Sequence, residues 1–188
     1  MAITQICHQL ILNQQDSFLY TIDASCGNGH DTLFLLHHTQ TNGCVFAFDI
    51  QEQALKATQQ NCEALLPHKQ LHCFQASHAS MSSFIPTLFH QKIDLIMFNL
   101  GYLPTSQNKN LCTTKETTLK ALEDCKLLLK TQGMISILAY PGHPQGKEEK
   151  QSLQAWLSTQ HDYIYTEHHD IKKNNAPILW LLNLKAKS

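Results

Sequence analysis

Phe18-Leu19-Tyr20-Thr21-Ile22-Asp23-Ala24-Ser25-Cys26-Gly27-Asn28-Gly29-His30-Asp31-Thr32 decides the fold. An apolar run ends in a carboxylate, passes into a turn with two glycines, and opens a helical pattern. Glycine bends the backbone tightly there and leaves no Cβ in the path of a ligand. Val45-Phe46-Ala47-Phe48-Asp49 repeats the first half of the pattern, about 20 residues downstream. In a Rossmann-like sheet that second acid stands where ribose hydroxyls are held. Together the two signals predict a nucleoside cofactor.

The kind of cofactor follows from the charges. A dinucleotide fingerprint G-x-G-x-x-G would run Gly27-Asn28-Gly29-His30-Asp31-Thr32, with threonine where the third glycine belongs. That glycine normally lets helix and strand pack closely beneath a pyrophosphate. Asp23 before the turn and Asp31 at the helix start make a poor cradle for a doubly charged anion. They suit S-adenosylmethionine, which carries a sulfonium and an ammonium and no phosphate. Asp49 is then a ribose acceptor with Gln51 beside the adenosine, although an aspartate there also serves as a helix cap.

Composition narrows the class. The chain has 188 residues, enough for one domain (1–188) with a real core, and a net charge of −1 gives no global attraction to polyanions. All 14 basic residues are lysines, so bidentate arginine recognition of phosphate or guanine is excluded. Seven scattered cysteines without a C-x-x-C pair imply reduced, mostly buried thiols and no metal site. No run approaches the ~18 apolar residues of a membrane span. The first residues lack the basic flank and long apolar stretch of a signal peptide. The expected location is the cytoplasm.

Apolar runs alternate with helical patterns, the mark of a parallel α/β sheet with helices on both faces. Strands are expected at about 18–24, 44–49, 71–75, 93–98, 134–140, 163–166 and 178–184. Helices are expected at 3–12, through 32–36, at 52–66, about 115–130 with Gly133 ending it, and about 147–159. The last two strands follow each other without a helix, so an antiparallel terminal hairpin should close the sheet. That tail separates a methyltransferase sheet from a plain dinucleotide fold, which more often continues β-α-β.

Three further stretches carry candidate chemistry. Ser77-His78 follows the third strand, at the place this fold class reserves for the adenine; an exposed polar turn reads equally well. Asn99-Leu100-Gly101-Tyr102-Leu103-Pro104 ends the fourth strand, and ligands of open α/β sheets sit beyond the carboxyl ends of strands. Many amine methyltransferases carry Asn/Asp-Pro-Pro-Tyr/Phe here. The asparagine carbonyl accepts the amine N–H and aims its lone pair, while the aromatic ring packs on the substrate. Asn99 and Tyr102 keep those two roles, Gly101 replaces the prolines, and Tyr102 as a simple packing residue is the alternative. Beyond the fifth strand, His143 can take a proton or position substrate, and Lys147, Lys150, Lys172 and Lys173 are candidates for phosphate contacts or a solvated face.

These blocks together resemble a bacterial family once labelled rRNA methylases and now associated with the MnmM (YtqB-like) tRNA methyltransferases. The resemblance is nearly chain-long. It runs through Asp23 to Thr32, Phe46-Ala47-Phe48-Asp49-Ile50-Gln51, Phe98 to Pro104, Gly142-His143-Pro144, Gly146-Lys147-Glu148-Glu149 and Asn174-Asn175-Ala176-Pro177. It implies a single Rossmann-like class I methyltransferase domain. It also implies methylation of 5-aminomethyl-2-thiouridine to the methylaminomethyl form at the wobble position in the anticodon region of tRNA. By the same resemblance Asn28, Asp49, Gln51, Ser77 and His78 contact the cofactor, Asn99, Tyr102 and His143 face the substrate, and the chain forms a homodimer. Ser25 (usually threonine), Gln145 (often acidic) and Ala176 (often proline) depart from the pattern. Direct attack by the amine needs no cysteine nucleophile, so Cys112 should be dispensable. The rival readings are methylation of ribosomal RNA or another amino group, a non-catalytic RNA-binding protein on the same fold, and a nicotinamide oxidoreductase.

Overall fold

The computed structural model describes residues 2–100, 114–169 and 175–186. Its strands are β1 (Phe18–Asp23), β2 (Thr39–Asp49), β3 (Gln70–Gln75), β4 (Ile93–Leu100), β5 (Leu129–Ala139), β6 (Tyr163–His169) and β7 (Ile178–Leu184). They form one sheet in the order β3-β2-β1-β4-β5-β7-β6. The first five run parallel; β7 is antiparallel to both β5 and β6. The strand order reverses between β1 and β4, which opens a crevice at their carboxyl ends. The helices are α1 (Ile3–Gln14), α2 (His30–His38), α3 (Glu52–Cys62), a short α4 (Met81–Phe84), α5 (Lys115–Leu128) and α6 (Pro144–Thr159).

Alternation along the strands divides the core into two layers. Ile96 and Phe98 of β4 face α4, α5 and α6 with Met81, Leu122, Cys125 and Leu153. Leu95 and Met97 face the other way, onto Cys7 and Ile11 of α1, Leu35 and Leu36 of α2 and Cys62 of α3. A strand apolar on both faces must be covered on both, and this is why β4 lies at the centre.

The end of the sheet away from the crevice is tied by Asp94. Its carboxylate accepts the Leu19 and Tyr20 N–H groups at 2.6 and 2.8 Å and pairs with Lys130. Those amides lie at a break in register, where Phe18 pairs with Thr39 but Tyr20 with Cys44. A matching break separates Ile93–Leu129 from Leu95–Met134. Here the sequence expectation is corrected. The helix ends at Leu128, and Gly133 lies within β5 at the break, where a Cβ would stand 2.9 Å from the Lys130 carbonyl oxygen. Two other boundaries also move. The α-helix expected to reach residue 66 ends at Cys62 with a 3-10 turn after it, and α6 begins three residues early because His143 caps it. No described helix is long and apolar enough to cross a membrane.

Candidate active site

Register brings the three key strand ends together. Asp23 pairs with Ala47 and Met97, Asp49 with Gln75, and Asn99 with Leu138. The chain leaving β1 is therefore flanked by β2 and β4, and its turn is held from both sides. Ala24 N–H donates to the Met97 carbonyl at 2.8 Å, and Cys26 N–H donates to the Phe48 carbonyl at 2.9 Å. Gly27 and Gly29 both have positive φ, 51° and 80°. At Gly29 an added Cβ would also come within 2.7 Å of the Thr58 Cα, so shape and conformation both require glycine.

Asp49 ties the turn to the next helix. Gly27 N–H donates to its Oδ2 at 3.0 Å and Gln51 N–H to its Oδ1 at 2.9 Å. Each oxygen keeps further acceptor capacity at the half-buried crevice. Burial pushes this carboxyl above its ordinary value, against the backbone bonds that lower it. Asp49 thus supports the start of α3 as well as facing the crevice, although α3 itself is capped by Gln51. Asn28 is exposed, and its carbonyl accepts from Asn61 Nδ2 at 3.3 Å.

Asp23 sits beneath the turn, only 1% exposed. Thr32 Oγ1 donates to its Oδ2 at 2.6 Å and Ser25 N–H to its Oδ1 at 3.2 Å. Burial and then the neighbouring Asp31 charge push this carboxyl up to about 7, and Asp49 adds to the effect. Thr32, read from sequence only as a missing glycine, is therefore the clasp of the turn. With Asp31 and Asp49 at its edge and Asp23 beneath, the crevice repels a phosphate and favours a cation.

Asp31 links the turn to the chemical end of β4. Its Oδ2 accepts from Asn99 Nδ2 at 3.4 Å, and its Oδ1 meets His8 Nε2 of α1 at 2.7 Å. Ser25 Oγ donates to the Asn99 carbonyl at 3.0 Å and accepts from the Asn99 N–H at 2.9 Å. The hydroxyl alone does this, so serine serves here as well as threonine would. Half-buried Tyr140, just after β5, has its phenol pushed up to about 12 by burial and the Asp31 charge.

Ser77 Oγ accepts from Ala79 N–H at 3.2 Å. His78 is 6% exposed, edge-on to Phe98, and its Nε2 has no partner. Burial pulls the ring down to about 4, offset only in part by a bond to the Ala24 backbone. It is a neutral imidazole against the first turn. His143 caps α6, its Nδ1 accepting from Gly146 N–H at 3.1 Å. With that nitrogen an acceptor, the proton of the neutral ring belongs on Nε2, which suits positioning better than proton abstraction. Lys147 is exposed and Lys150 half-buried on α6. Tyr102, Cys112, Lys172 and Lys173 lie outside the described residues.

An adenosine with a cationic tail fits this set. The Asp49 oxygens can accept two hydroxyls, the orphaned His78 nitrogen can meet a polar edge, and the acid-rich turn can meet positive charge. A family model described as "Putative rRNA methylase" matches residues 45–183. The chain belongs to this methylase family. Its relatives agree. The chloroplastic tRNA (mnm(5)s(2)U34)-methyltransferase of Arabidopsis thaliana is 33% identical over 189 residues, spanning 94% of this chain and 67% of the relative. A Clostridium thermocellum crystal structure of the same description as the family is 32% identical, with a TM-score of 0.86 over 96% of both chains. A Streptococcus mutans methyltransferase structure in complex with SAH is 28% identical, with a TM-score of 0.83 over 98% of both. The methylase sheet is thus the class I methyltransferase fold, as the strand pattern led one to expect. No group of three or more His, Cys, Asp or Glu among the described residues is arranged to hold a metal ion. His8 and Tyr140 escaped the sequence reading, and so did the bonding role of Thr32. Only Thr32 left a signal, a hydroxyl nine residues after the buried acid it bonds.

Proposed function

We propose that this methylase is an S-adenosylmethionine-dependent N-methyltransferase that converts 5-aminomethyl-2-thiouridine to 5-methylaminomethyl-2-thiouridine at the wobble position of tRNA. One observation carries the reaction class: an asparagine amide held at the carboxyl end of β4, beside an acid-rich turn. The Arabidopsis relative, through its own name, supports the substrate. When bound, S-adenosylmethionine supplies a methyl group on a cationic sulfur.

The residues of the chain do the rest. Asp49 accepts the ribose hydroxyls, with Gln51 beside the adenosine, Ser77 and His78 at the adenine, and Gly27, Asn28 and Gly29 along the methionine portion. Asp23 keeps the turn shaped from below, and Asp31 adds negative charge near the ammonium. The Asp31 carboxylate only accepts, so it takes the Asn99 NH2 and leaves the Asn99 Oδ1 facing away. That oxygen would accept an N–H of the neutral amine and so orient its lone pair toward the cofactor's methyl group. Holding the amine in place for in-line transfer would be the chain's main catalytic contribution. Tyr102 packs on the substrate base and His143 positions it. The reading includes a cytoplasmic location and a homodimer, the latter tested by light scattering in solution.

The decisive experiment incubates the protein with methyl-labelled cofactor and either tRNA from cells lacking this methylation or ribosomal RNA. Nucleoside mass spectrometry should show the methylaminomethyl product in tRNA alone. Label confined to ribosomal RNA, or none despite cofactor turnover conditions, overturns the substrate.

A further inference from the structure

We propose that His8, on the N-terminal helix, is a positioning residue for methyl transfer, acting through Asp31 on the Asn99 amide. The inference rests on the methyltransferase reading above. Asp31, in the first turn of α2, is 9% exposed and bridges two elements that are remote in sequence. One oxygen meets His8 Nε2 at 2.7 Å; the other accepts the longer 3.4 Å bond from Asn99. A carboxylate held only by the long bond is free to swing about its terminal torsion. The short contact to His8 fixes its plane, and with it the direction in which the second oxygen meets Asn99.

His8 is itself immobilised by the helix it serves. Its ring lies flat on Phe34, three residues beyond Asp31, with centroids 3.8 Å apart and planes 4° apart. Behind it, Cys7 and Ile11 anchor α1 in the core at 2% and 0% exposure. Stack and bond therefore come from one face of α2, and α1 acts as a fixed post. The Nε2–H donates to a carboxylate both in the imidazolium and in the matching neutral tautomer, so the geometry needs no particular charge on His8. Asn99 is clamped through its backbone by Ser25. Among the described residues the Asp31–His8 pair is what acts on its side-chain amide.

The test compares His8→Ala, His8→Gln, Asn99→Ala and the His8→Ala/Asn99→Ala double variant. With unmethylated tRNA, His8→Ala should lose roughly tenfold in kcat, because small misplacements of a reacting group cost that much or more. The KM for tRNA and the Kd for S-adenosylhomocysteine should stay within about twofold. Glutamine carries an amide that can donate to Asp31, so His8→Gln should recover most of the rate. Adding His8→Ala to Asn99→Ala should cost nothing further, since one acts through the other. In 15N spectra the Asn99 side-chain amide signal, identified by its loss in Asn99→Ala, should move in His8→Ala and return in His8→Gln. That signal reads the positioning even if tRNA proves not to be the substrate. An unmoved signal, an unimproved His8→Gln, or multiplying losses in the double variant overturns the proposal.

Discussion

Replacing Asp23 by asparagine should stabilise the protein at neutral and alkaline pH, by an amount set by its burial. The carboxyl is pushed from an ordinary 3.8 up to about 7 in the fold, first by burial and then by the Asp31 charge. The folded state thus keeps a proton that the unfolded chain releases near 3.8. A folded-state value raised above the unfolded one gives stability that is complete below the unfolded value. That stability is lost as pH climbs toward the folded value. Each unit of that window costs about 1.4 kcal/mol, so the full interval amounts to about 4 kcal/mol, and relaxation around the ionised group can halve it. Asparagine carries no such cost and fits the same bonds. Its oxygen accepts from Ser25 N–H, and its NH2 donates to Thr32 Oγ1, whose own proton rotates away. Urea unfolding midpoints of both proteins, taken in half-unit steps from about pH 5 to pH 8.5, yield the difference curve. It should rise with pH by up to about 1.4 kcal/mol per unit to about 7 and then level off. A flat curve, or an asparagine variant weaker than the parent at the alkaline end, would refute the view of Asp23 as a desolvated carboxyl beneath the turn.

Asp49→Ala should weaken S-adenosylhomocysteine binding roughly 10- to 100-fold by calorimetry, the worth of lost charge-assisted bonds of about 1.5–3 kcal/mol; unchanged affinity would remove the ribose assignment. Gly29→Ala forces a Cβ onto Thr58 at a φ of 80°, and should lower stability by about 2 kcal/mol or more, seen as a depressed melting temperature. His78, pulled down to about 4, should show no imidazole titration by NMR between about pH 8 and pH 5. Because its folded value lies below the unfolded 6.5, its contribution is present above 6.5 and lost as pH falls toward about 4, up to about 3 kcal/mol. A midpoint near the ordinary imidazole value would contradict its burial.

Periodicity and punctuation made the sheet legible before any coordinates. Strong apolar runs at 18–23, 93–98 and 178–184 are strands because both sheet faces are covered, and two closing strands without an intervening helix pair antiparallel. Boundaries at residues 39–43 and 129–133 were not legible. Those segments leave a helix and enter the sheet through a register break, and Gly133 resembles a helix stop in any local reading. At the site, the glycine turn and Asp49 were readable because spacing encodes them. The division of labour among the acids was not. Whether Asp23 faces a ligand or lies beneath the turn depends on Thr32 and on burial, and no spacing reports burial. His8 was invisible for a related reason: its partner Asp31 lies 23 residues away on another helix, and no spacing in the sequence joins the two.

The buried thiols turn this molecule into its own reporter of opening. Six cysteines among the described residues are free, five of them buried, and burial lifts all six thiols above their ordinary values. Such sulfurs are nearly inert to alkylating dyes while covered, because the thiolate is the nucleophile. Cys26 adjoins Gly27 and is 5% exposed, so its labelling waits on local fluctuation of the turn at the nucleoside crevice, whereas Cys62 reports on the core layer beneath α1 and α2. With Cys73 and Cys112 changed to serine, the rate at which dye reaches Cys26, read by peptide mass, becomes a stopwatch for crevice breathing. Any compound that settles there slows the stopwatch, which offers a screen requiring neither RNA nor turnover.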